Sequence, residues 1–405
     1  MKKYIKIFGI SIIVVILFNI KVNATDISEI VTEEDILTQE ELLEVMSKTQ
    51  DLKINATAAL LYDKTYDKIL YAKNIDSRVP NASTTKVLTA IVAYENSNMD
   101  DIVEVSEKAA SVGGSTINLR KGNKVKMGDL MKGLLMSSGN DAAIAIAEHV
   151  GGSIENFCEM MNQRAKELGA TNTNFVTPHG LDREEHYTTI QDLLIFTKHF
   201  MEIPYLLEIS NTSTASIKID NYTRELRTTN EMLSIYDAVN GIKTGFTGKA
   251  GRCLITSIAS GERELVTMVL GCDTKKQRTT ETIQLITYGY DNFEEVDIFE
   301  NMKKKFEIRV KKSLNGRYEI IISGNKKILI KKGEENLIRY DYDISYDLVA
   351  PLANGQKIGQ IQVLLKSEIL TEIPITMPYE ISPKNFIQYF SEIIKNQKAY
   401  TEVKT

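Results

Sequence analysis

The chain has 405 residues, of which 43% are hydrophobic and 25% charged, and its formal net charge is -5. This is the composition of a globular protein with a sizeable core, and the length predicts two or three domains. The charge gives no indication of a nucleic-acid partner. Four histidines and three cysteines, scattered along the chain, are too few to indicate a metal cluster, so we expect no metal, no cofactor and no nucleic acid.

Residues 1–24 have the pattern of a signal peptide. Three lysines precede an apolar run over residues 7–20, and the residues ending at Ala24 resemble a processing site. The alternative is an uncleaved anchor, but the run is short of the roughly 20 residues that span a bilayer. We therefore expect cleavage near Ala24 and an exported protein at the outer face of the cell membrane. Residues 25–50 are acidic and helix-prone, which predicts a solvated leader.

The three cysteines do not predict a catalytic thiol. Cys158, Cys253 and Cys272 cannot all pair within one chain. Cys253 and Cys272 flank a predicted hairpin and could lie close together, but small buried side chains are the favoured interpretation for all three. A catalytic thiol would need a histidine partner, and none is adjacent in sequence.

Residues 51–295 predict an α+β domain. A hairpin pattern runs from Ala58 to Tyr71 with a turn at Asp63–Asp67. Apolar residues at helical spacing then predict helices over Thr84–Asn96, Lys126–Met136, Asp141–Val150, Ile154–Leu168 and Thr189–Met201. Strands are predicted at Asp237–Lys243, Arg252–Ser260 and Glu264–Gly271, with a closing helix at Thr279–Phe293. Helices placed between the strands of one sheet are typical of the α+β class.

Residues 296–380 predict a small all-β domain, because short alternating runs are punctuated by turns such as Asn315-Gly316 and Asn354-Gly355. Residues 381–405 predict an amphipathic helix with Phe386, Ile387 and Phe390 on one face. Such a helix can lie in a membrane interface. The alternative is that its apolar face packs on the β domain.

A serine and a lysine with catalytic spacing begin the first predicted helix. Ser83 and Lys86 are three residues apart, hence on one helical face. A serine hydroxyl is a weak nucleophile until a base takes its proton, and a lysine one turn away can do so if its pKa is depressed. The pattern S-x-x-K is common by chance, so on its own it also fits a helix cap followed by a surface lysine.

Two further motifs follow in order. Ser138-Gly139-Asn140 lies between two predicted helices, where a hydroxyl can relay a proton and an amide can bind a peptide group. Lys243 and Thr244, at the end of a predicted strand, supply a cation and a hydroxyl for a carboxylate. Gly245 would let a substrate backbone approach the strand. The three motifs in this order are hard to explain by chance.

With S-x-x-K, S-x-N and K-T-G, the sequence resembles the penicillin-recognising serine acyltransferases. Within that family it is most similar to the low-molecular-mass D-alanyl-D-alanine carboxypeptidases, and the segments Asp237–Leu254 and Pro178–Asp182 are typical of them. The resemblance implies a β-lactamase/transpeptidase-like fold, an antiparallel sheet flanked by helices with an inserted helical subdomain, followed by the small all-β domain.

The resemblance also implies a reaction. Ser83 would attack the bond between two D-alanines of a peptidoglycan stem pentapeptide, Lys86 would be the general base and Ser138 a proton relay. The acyl-enzyme would be hydrolysed by water, and β-lactams would acylate the same serine as covalent inhibitors. The partners implied are peptidoglycan stem peptides and, through the tail, the membrane surface.

Five further residues would bind the substrate. The resemblance makes Asn140 an anchor for the substrate peptide, and Lys243 with Thr244 the site of the terminal carboxylate. Gly245 would admit the substrate backbone, and the backbone N–H groups of Phe246 and of the nucleophile would form the oxyanion hole.

Two positions depart from patterns common among relatives. Gly139 stands where many β-lactamases carry Asp, which favours the carboxypeptidases. Glu231 places an acid where relatives more often have a basic or neutral residue, which bears on substrate preference. His179 fits the family pattern and is predicted to be structural, holding a loop.

Other functions use the same motifs. A peptidoglycan endopeptidase or transpeptidase shares the whole site, because only pocket access decides whether water or an amine takes the acyl group. A β-lactamase would need a glutamate that positions water, and the nearest acids, Glu184 and Glu185, stand in another context. A non-catalytic sensor of β-lactams or peptidoglycan would keep the pocket without turnover.

Overall fold

The computed structural model describes residues 37–47, 52–345 and 347–402. The predicted signal peptide lies outside these ranges, as does most of the predicted leader. The helices are α1 (Gln39–Ser47), α2 (Lys86–Asn96), α3 (Glu107–Ala110), α4 (Met127–Leu135), α5 (Asn140–Gly151), α6 (Ile154–Glu167), α7 (Ile190–Met201), α8 (Pro204–Ser210), α9 (Met232–Ile235), α10 (Lys275–Asn292) and α11 (Phe386–Glu402), with short 3-10 helices at Ala82–Thr85 and Glu335–Leu337.

The strands divide between two regions on either side of residue 293. The first region contains β1 (Ala58–Asp63), β2 (Lys68–Lys73), β3 (Ile102–Glu104), β4 (Lys124–Lys126), β5 (Thr214–Ile219), β6 (Tyr222–Arg227), β7 (Val239–Thr247), β8 (Gly251–Ser260) and β9 (Arg263–Cys272). The second contains β10 (Phe293–Asp297), β11 (Lys305–Lys311), β12 (Arg317–Ile321), β13 (Lys327–Lys331), β14 (Ile338–Ile344), β15 (Asp347–Val349), β16 (Lys357–Leu365) and β17 (Glu368–Thr376).

The first region is built on a five-stranded antiparallel sheet in the order β2-β1-β9-β8-β7. The predicted hairpin is its β1–β2 pair, and the three strands predicted between residues 237 and 271 are β7, β8 and β9. The turn between β8 and β9 contains Gly261 with φ +62°. Strand β7 lies at an edge of this sheet.

Both faces of this sheet are covered. On β1, Leu60 and Tyr62 point into a core shared with the helical region, whereas Ala59 and Leu61 point into a second core shared with α10. This alternation follows from the two-residue period of a strand. Because all six residues of β1 are buried, the sheet is the middle layer of a helix–sheet–helix arrangement, and the predicted α+β class is confirmed.

The predicted solvated leader is wrong for the part that the structure describes. Helix α1 packs on the outer layer, with Leu42 and Val45 against the core that contains α10, and Glu41 forms an ion pair with Lys276. Apolar residues three apart give even this acidic segment one face that can be buried.

The helical region follows the predicted helices to within two residues at nearly every end. Thr189 caps α7 by accepting a hydrogen bond from the backbone N–H of Asp192 at 3.1 Å, which is a common role of threonine just before a helix. Helix α2 is the centre of the region, since its first eight residues are all buried. Any polar group on the first turn of α2 is therefore removed from water.

A second, four-stranded sheet in the order β3-β4-β5-β6 was not predicted. Its strands β3 and β4 have only three residues each, too few to show a two-residue period. The β5–β6 hairpin turns through Asp220, whose φ is +50°. The inserted subdomain is thus mixed rather than purely helical.

The second region has its own hydrophobic core. Its sheets are β10-β13, β12-β11-β15 and β14-β16-β17, so the prediction of an all-β domain is confirmed. The predicted tail helix is α11, and Phe386 and Ile387 are 82% and 73% exposed. They do not pack on the β domain. In the part of the chain that the structure describes, no helix is long and apolar enough to cross a membrane.

Candidate active site

Ser83 lies in the 3-10 helix that leads into α2, and Lys86 is the first residue of α2. Ala82, just before the serine, has a left-handed backbone with φ +47°, a conformation that costs a non-glycine residue roughly 1–2 kcal/mol and is concentrated at functional sites. The Nζ atom of Lys86 is 2.7 Å from the Oγ atom of Ser83. The predicted pair therefore forms a direct hydrogen bond.

The surroundings of Lys86 favour a neutral amine. The side chain is 0% exposed, and Nζ donates to the Oδ1 atom of Asn140 at 2.8 Å and to the carbonyl oxygen of His179 at 3.0 Å. Burial first, and then the positive charge of Lys243, hold the pKa of Lys86 well below its ordinary value, against an opposing effect of Asp141. An amine with a depressed pKa can accept a proton from the serine.

The second motif joins α4 to α5 and faces Lys86. The Oγ atom of Ser138 is 3.5 Å from Lys86 Nζ. The positive φ in this turn, +58°, belongs to Ser138 itself and not to Gly139. Asn140 begins α5, and its Nδ2 atom donates to the carbonyl oxygen of Gly113 at 2.8 Å. One side-chain amide thus bridges the buried lysine and a loop of the cleft wall.

That loop, residues 113–119, was not identified from the sequence. The backbone N–H of Asn140 donates to the carbonyl oxygen of Ser115 at 2.7 Å. The buried carboxylate of Asp141 accepts from the backbone N–H groups of Ile117 and Leu119 at 2.9–3.0 Å. The only sequence signal was the Gly113-Gly114 pair, because backbone carbonyls carry no side-chain pattern.

The third motif lies inside strand β7 rather than after a strand, which corrects the predicted end at Lys243. The strand continues to Thr247 because Gly245 pairs with Cys253 on β8 and Thr247 with Gly251. A Cβ atom on Gly245 would stand 3.0 Å from the backbone nitrogen of Ser83. Glycine is needed at this position for the strand to approach the nucleophile so closely.

Both side chains of the third motif are buried, and Thr244 reaches the cleft lining. Lys243 is 1% exposed, and its Nζ atom donates to the carbonyl oxygen of Thr244 at 3.0 Å. The hydroxyl of Thr244 is 2.6 Å from that of Thr229. Thr229 belongs to the segment before α9, and sequence reasoning assigned it no function.

The segment around His179 contacts both Ser83 and Lys86. The carbonyl oxygen of His179 accepts a hydrogen bond from Lys86 Nζ and lies 3.5 Å from the Oγ atom of Ser83. Gly180 has φ +84°, and a Cβ atom there would stand 1.8 Å from the carbonyl oxygen of Ala82. The imidazole of His179 accepts from the backbone N–H of Leu181 at 3.1 Å, and burial lowers its pKa to about 3. This neutral ring matches the predicted structural role.

These elements surround a cleft with a volume of about 440 Å³. The two lysines are buried behind it. The predicted residues that line it are Ser83, Ser138, Asn140, Thr244, Gly245 and Phe246. The three motifs, distant in sequence, therefore converge on one cleft.

The unusual acid, Glu231, faces away from this cleft. It forms an ion pair with Arg278 of α10 at 2.7 Å and accepts from the hydroxyl of Thr279 at 2.8 Å. The Arg278 side chain is only 1% exposed. Glu231 thus compensates a buried guanidinium and ties the segment that carries Thr229 to α10.

The cysteines are free and buried, as favoured from the sequence. Burial raises the pKa of Cys253 to about 11 and that of Cys158 to about 12. Thiols that stay protonated are poor nucleophiles, which leaves the serine of the cleft as the candidate.

Comparisons with known proteins agree with this geometry. The family model described as D-alanyl-D-alanine carboxypeptidase matches residues 44–274, and that of the penicillin-binding protein 5 C-terminal domain matches residues 293–382. The D-alanyl-D-alanine carboxypeptidase DacF of Bacillus subtilis (strain 168) is 32% identical over 84% of this chain and 90% of its own length. The corresponding values for DacC of Escherichia coli (strain K12) are 31%, 82% and 86%.

A solved structure shows the same likeness over both regions. Penicillin-binding protein 5 from Haemophilus influenzae superposes with a TM-score of 0.65 at 30% identity, covering 82% of this chain and 99% of that one. The fold, the order of the motifs and the extent of these matches lead to one conclusion: the chain belongs to the D-alanyl-D-alanine carboxypeptidase family of serine peptidases.

Proposed function

We propose that Ser83 is the nucleophile with which this carboxypeptidase removes the terminal D-alanine from peptidoglycan stem pentapeptides. The observation that carries the proposal is the hydrogen bond of 2.7 Å between Ser83 Oγ and the amine of Lys86. The lysine is fully buried and its pKa is depressed, so a base is already in contact with the hydroxyl.

Acylation begins with proton transfer. Neutral Lys86 takes the hydroxyl proton as Ser83 Oγ attacks the carbonyl carbon between the two D-alanines. The backbone N–H groups of Ser83 and Phe246 stabilise the negative charge that develops on the carbonyl oxygen. The C–N bond then breaks, and the leaving nitrogen receives a proton from Lys86 through the hydroxyl of Ser138. D-Alanine leaves with its amine restored.

Deacylation repeats the sequence with water. Lys86 takes a proton from a water molecule, whose oxygen attacks the ester carbonyl, and the released Ser83 oxygen recovers a proton from Lys86. Asn140 holds the substrate peptide group and, through its Oδ1 atom, orients Lys86. A β-lactam would acylate Ser83 in the same way, and water would hydrolyse the resulting ester slowly.

The terminal carboxylate is proposed to bind at the third motif. The hydroxyl of Thr244 lines the cleft, and Lys243 lies directly behind it. A carboxylate at this position gains a hydroxyl donor and a buried positive charge. Thr229, which contacts Thr244, orients the donor.

D-Alanine release from a peptide ending in Lys-D-Ala-D-Ala tests the nucleophile. The natural protein should release D-alanine and be labelled by a fluorescent penicillin, and Ser83→Ala should do neither. Thr212→Ala removes a half-buried hydroxyl from the segment after α8, outside the cleft lining; it is the matched control and should keep both properties. Equal release by the natural protein and Ser83→Ala would refute the assignment.

We further propose that the enzyme is exported and that α11 holds it at the membrane surface. Support comes from the exposed aromatic side chains of Phe386 and Phe390, which stack with ring centroids 6.3 Å apart. Replacing both with serine should abolish sedimentation with phospholipid vesicles and leave D-alanine release from soluble peptides unchanged. Undiminished sedimentation would refute this role. The domain boundaries, with a break near residue 295, stay a prediction.

A further inference from the structure

The position of β7 fixes the direction in which a substrate peptide must run, if the proposed function is right. Strand β7 is an edge strand, and an extended peptide can add to such an edge through main-chain hydrogen bonds. With the terminal carboxylate at Thr244 and the scissile carbonyl near Ser83, the peptide runs antiparallel to β7. At about 3.4 Å per residue, the third residue of the stem peptide lies beside Phe246 and Thr247.

At this end of the cleft, the side chains of Phe246 and Arg252 stack and present a positive charge. Phe246 is 47% exposed, and it is paired in register with Arg252 on β8. The guanidinium of Arg252 lies over the Phe246 ring, 3.8 Å from its centroid. Both side chains line the cleft. Stacking uses the face of the guanidinium, whereas its N–H groups lie in the plane of the group, where a carboxylate binds.

An acid lines the same end of the cleft. Asp182 accepts from the hydroxyl of Thr247 at 2.6 Å and from the backbone N–H of Lys249 at 3.2 Å. Its position is thereby fixed relative to β7. The end of the cleft thus presents a fixed carboxylate and a planar cation to whatever side chain the third stem residue carries.

We propose that Arg252 and Phe246 form a specificity subsite for a third stem residue whose side chain ends in a carboxylate as well as an amine. Diaminopimelic acid has this structure, and lysine is the same residue without the second carboxylate. Asp182 attracts the ammonium of either side chain. Arg252 binds the second carboxylate of diaminopimelate and has no matching group to bind on lysine, so Arg252 makes the distinction.

The test uses two N-acylated peptides, L-X-D-Ala-D-Ala, in which X is meso-diaminopimelic acid or lysine. We expect kcat/KM for D-alanine release to favour the diaminopimelate peptide about tenfold or more in the natural protein. Arg252→Gln should remove this preference by lowering kcat/KM for the diaminopimelate peptide. The value of kcat/KM for the lysine peptide should change by less than about twofold. Arg252→Lys, which keeps the charge without the planar group, should retain part of the preference.

Lys249→Gln is the matched control. It removes one positive charge from the exposed turn after β7, outside the cleft lining, and should leave the ratio of the two peptides unchanged. Thermal unfolding of each variant verifies that it is folded.

The outcomes separate this inference from the proposed function. Absence of D-alanine release from both peptides would refute the function itself. Equal kcat/KM values for the two peptides in the natural protein would refute only the subsite. An equal loss on both peptides in folded Arg252→Gln would also refute it, because it would show that Arg252 merely supports the strand.

Discussion

The first region of the chain, which contains the site and is here called the catalytic region, and the second region, the C-terminal β domain, bury polar groups very differently. The catalytic region encloses Lys86 and Lys243, and also the carboxylates of Asp63 and Asp141. In the β domain, among the residues that the structure describes, Ser313 is the one buried polar side chain. Both regions have hydrophobic cores of the usual kind, so stability alone does not require buried charges.

The difference shows where the protein buries polar groups for its reaction, at a cost in the stability of the fold. Moving a charge out of water costs several kcal/mol unless it is paired or neutralised. Asp63 is paired with Arg263 at 2.8 Å, which gives a structural reason for it. Lys86 instead contacts hydroxyl, amide and carbonyl groups, and its burial together with the charge of Lys243 lowers its pKa. A buried amine of this kind is useful to a reaction rather than to the fold.

The largest expected effect comes from removing that amine. Lys86→Ala should lower the rate of Ser83 acylation by between about 10² and 10⁴, which is the usual contribution of a general base. In the natural protein kcat/KM should rise with pH as Lys86 becomes neutral, with a midpoint well below the ordinary lysine pKa. Stopped-flow acylation with a chromogenic cephalosporin from pH 5 to pH 10 measures the loss of rate in Lys86→Ala and the pH dependence of the natural protein. Lys132→Ala on α4 is the control, and a Lys86→Ala rate within tenfold of the natural one would count against the base.

The next effect compares two ion pairs, one from each region. Glu231→Ala removes a carboxylate that pairs with the buried Arg278 and should lower the free energy of unfolding by about 3 kcal/mol. Glu319→Ala in the β domain breaks an exposed pair with Lys305 and should have no measurable effect. Urea unfolding of both variants provides the values. Similar losses would show that burial does not separate the two regions.

The smallest effect concerns pH. His186 is buried against Thr85, with Nε2 2.9 Å from Thr85 Oγ1, and burial lowers its pKa to about 4. The unfolded chain, with a histidine pKa near 6.5, therefore binds more protons between these values. Stability should fall by about 2 kcal/mol from this group between pH 7 and pH 5.

The His186→Gln variant checks this sign. The variant should have a lower free energy of unfolding than the natural protein at pH 7. The difference in free energy of unfolding between the two proteins should narrow as the pH falls to 5. His149→Gln removes a histidine near the surface and serves as the control. A constant gap in urea unfolding across this range would contradict the effect.

Sequence reasoning succeeded where a pattern is local. The spacing of Ser83 and Lys86 placed both on one helical turn, and the apolar period located the main helices closely. It failed where an element depends on its partners. The packing of α1 depends on residues of α10, more than two hundred positions away. Strands β3 and β4 are too short to show a period, and the continuation of β7 through Gly245 depends on its pairing with β8.

The sequence by itself determined the family, the order of the three motifs and the residue types that can carry the reaction, since these are properties of local order and side-chain chemistry. Only the tertiary structure decided the state of those groups. The depressed pKa of Lys86 arises from its burial and from Lys243, which is 157 positions further along the chain. The carbonyls of Gly113 and His179, the hydroxyl of Thr229 and the side chain of Arg252 likewise contact the residues of the site only when the chain is folded. Backbone atoms and partners from other elements have no pattern in sequence.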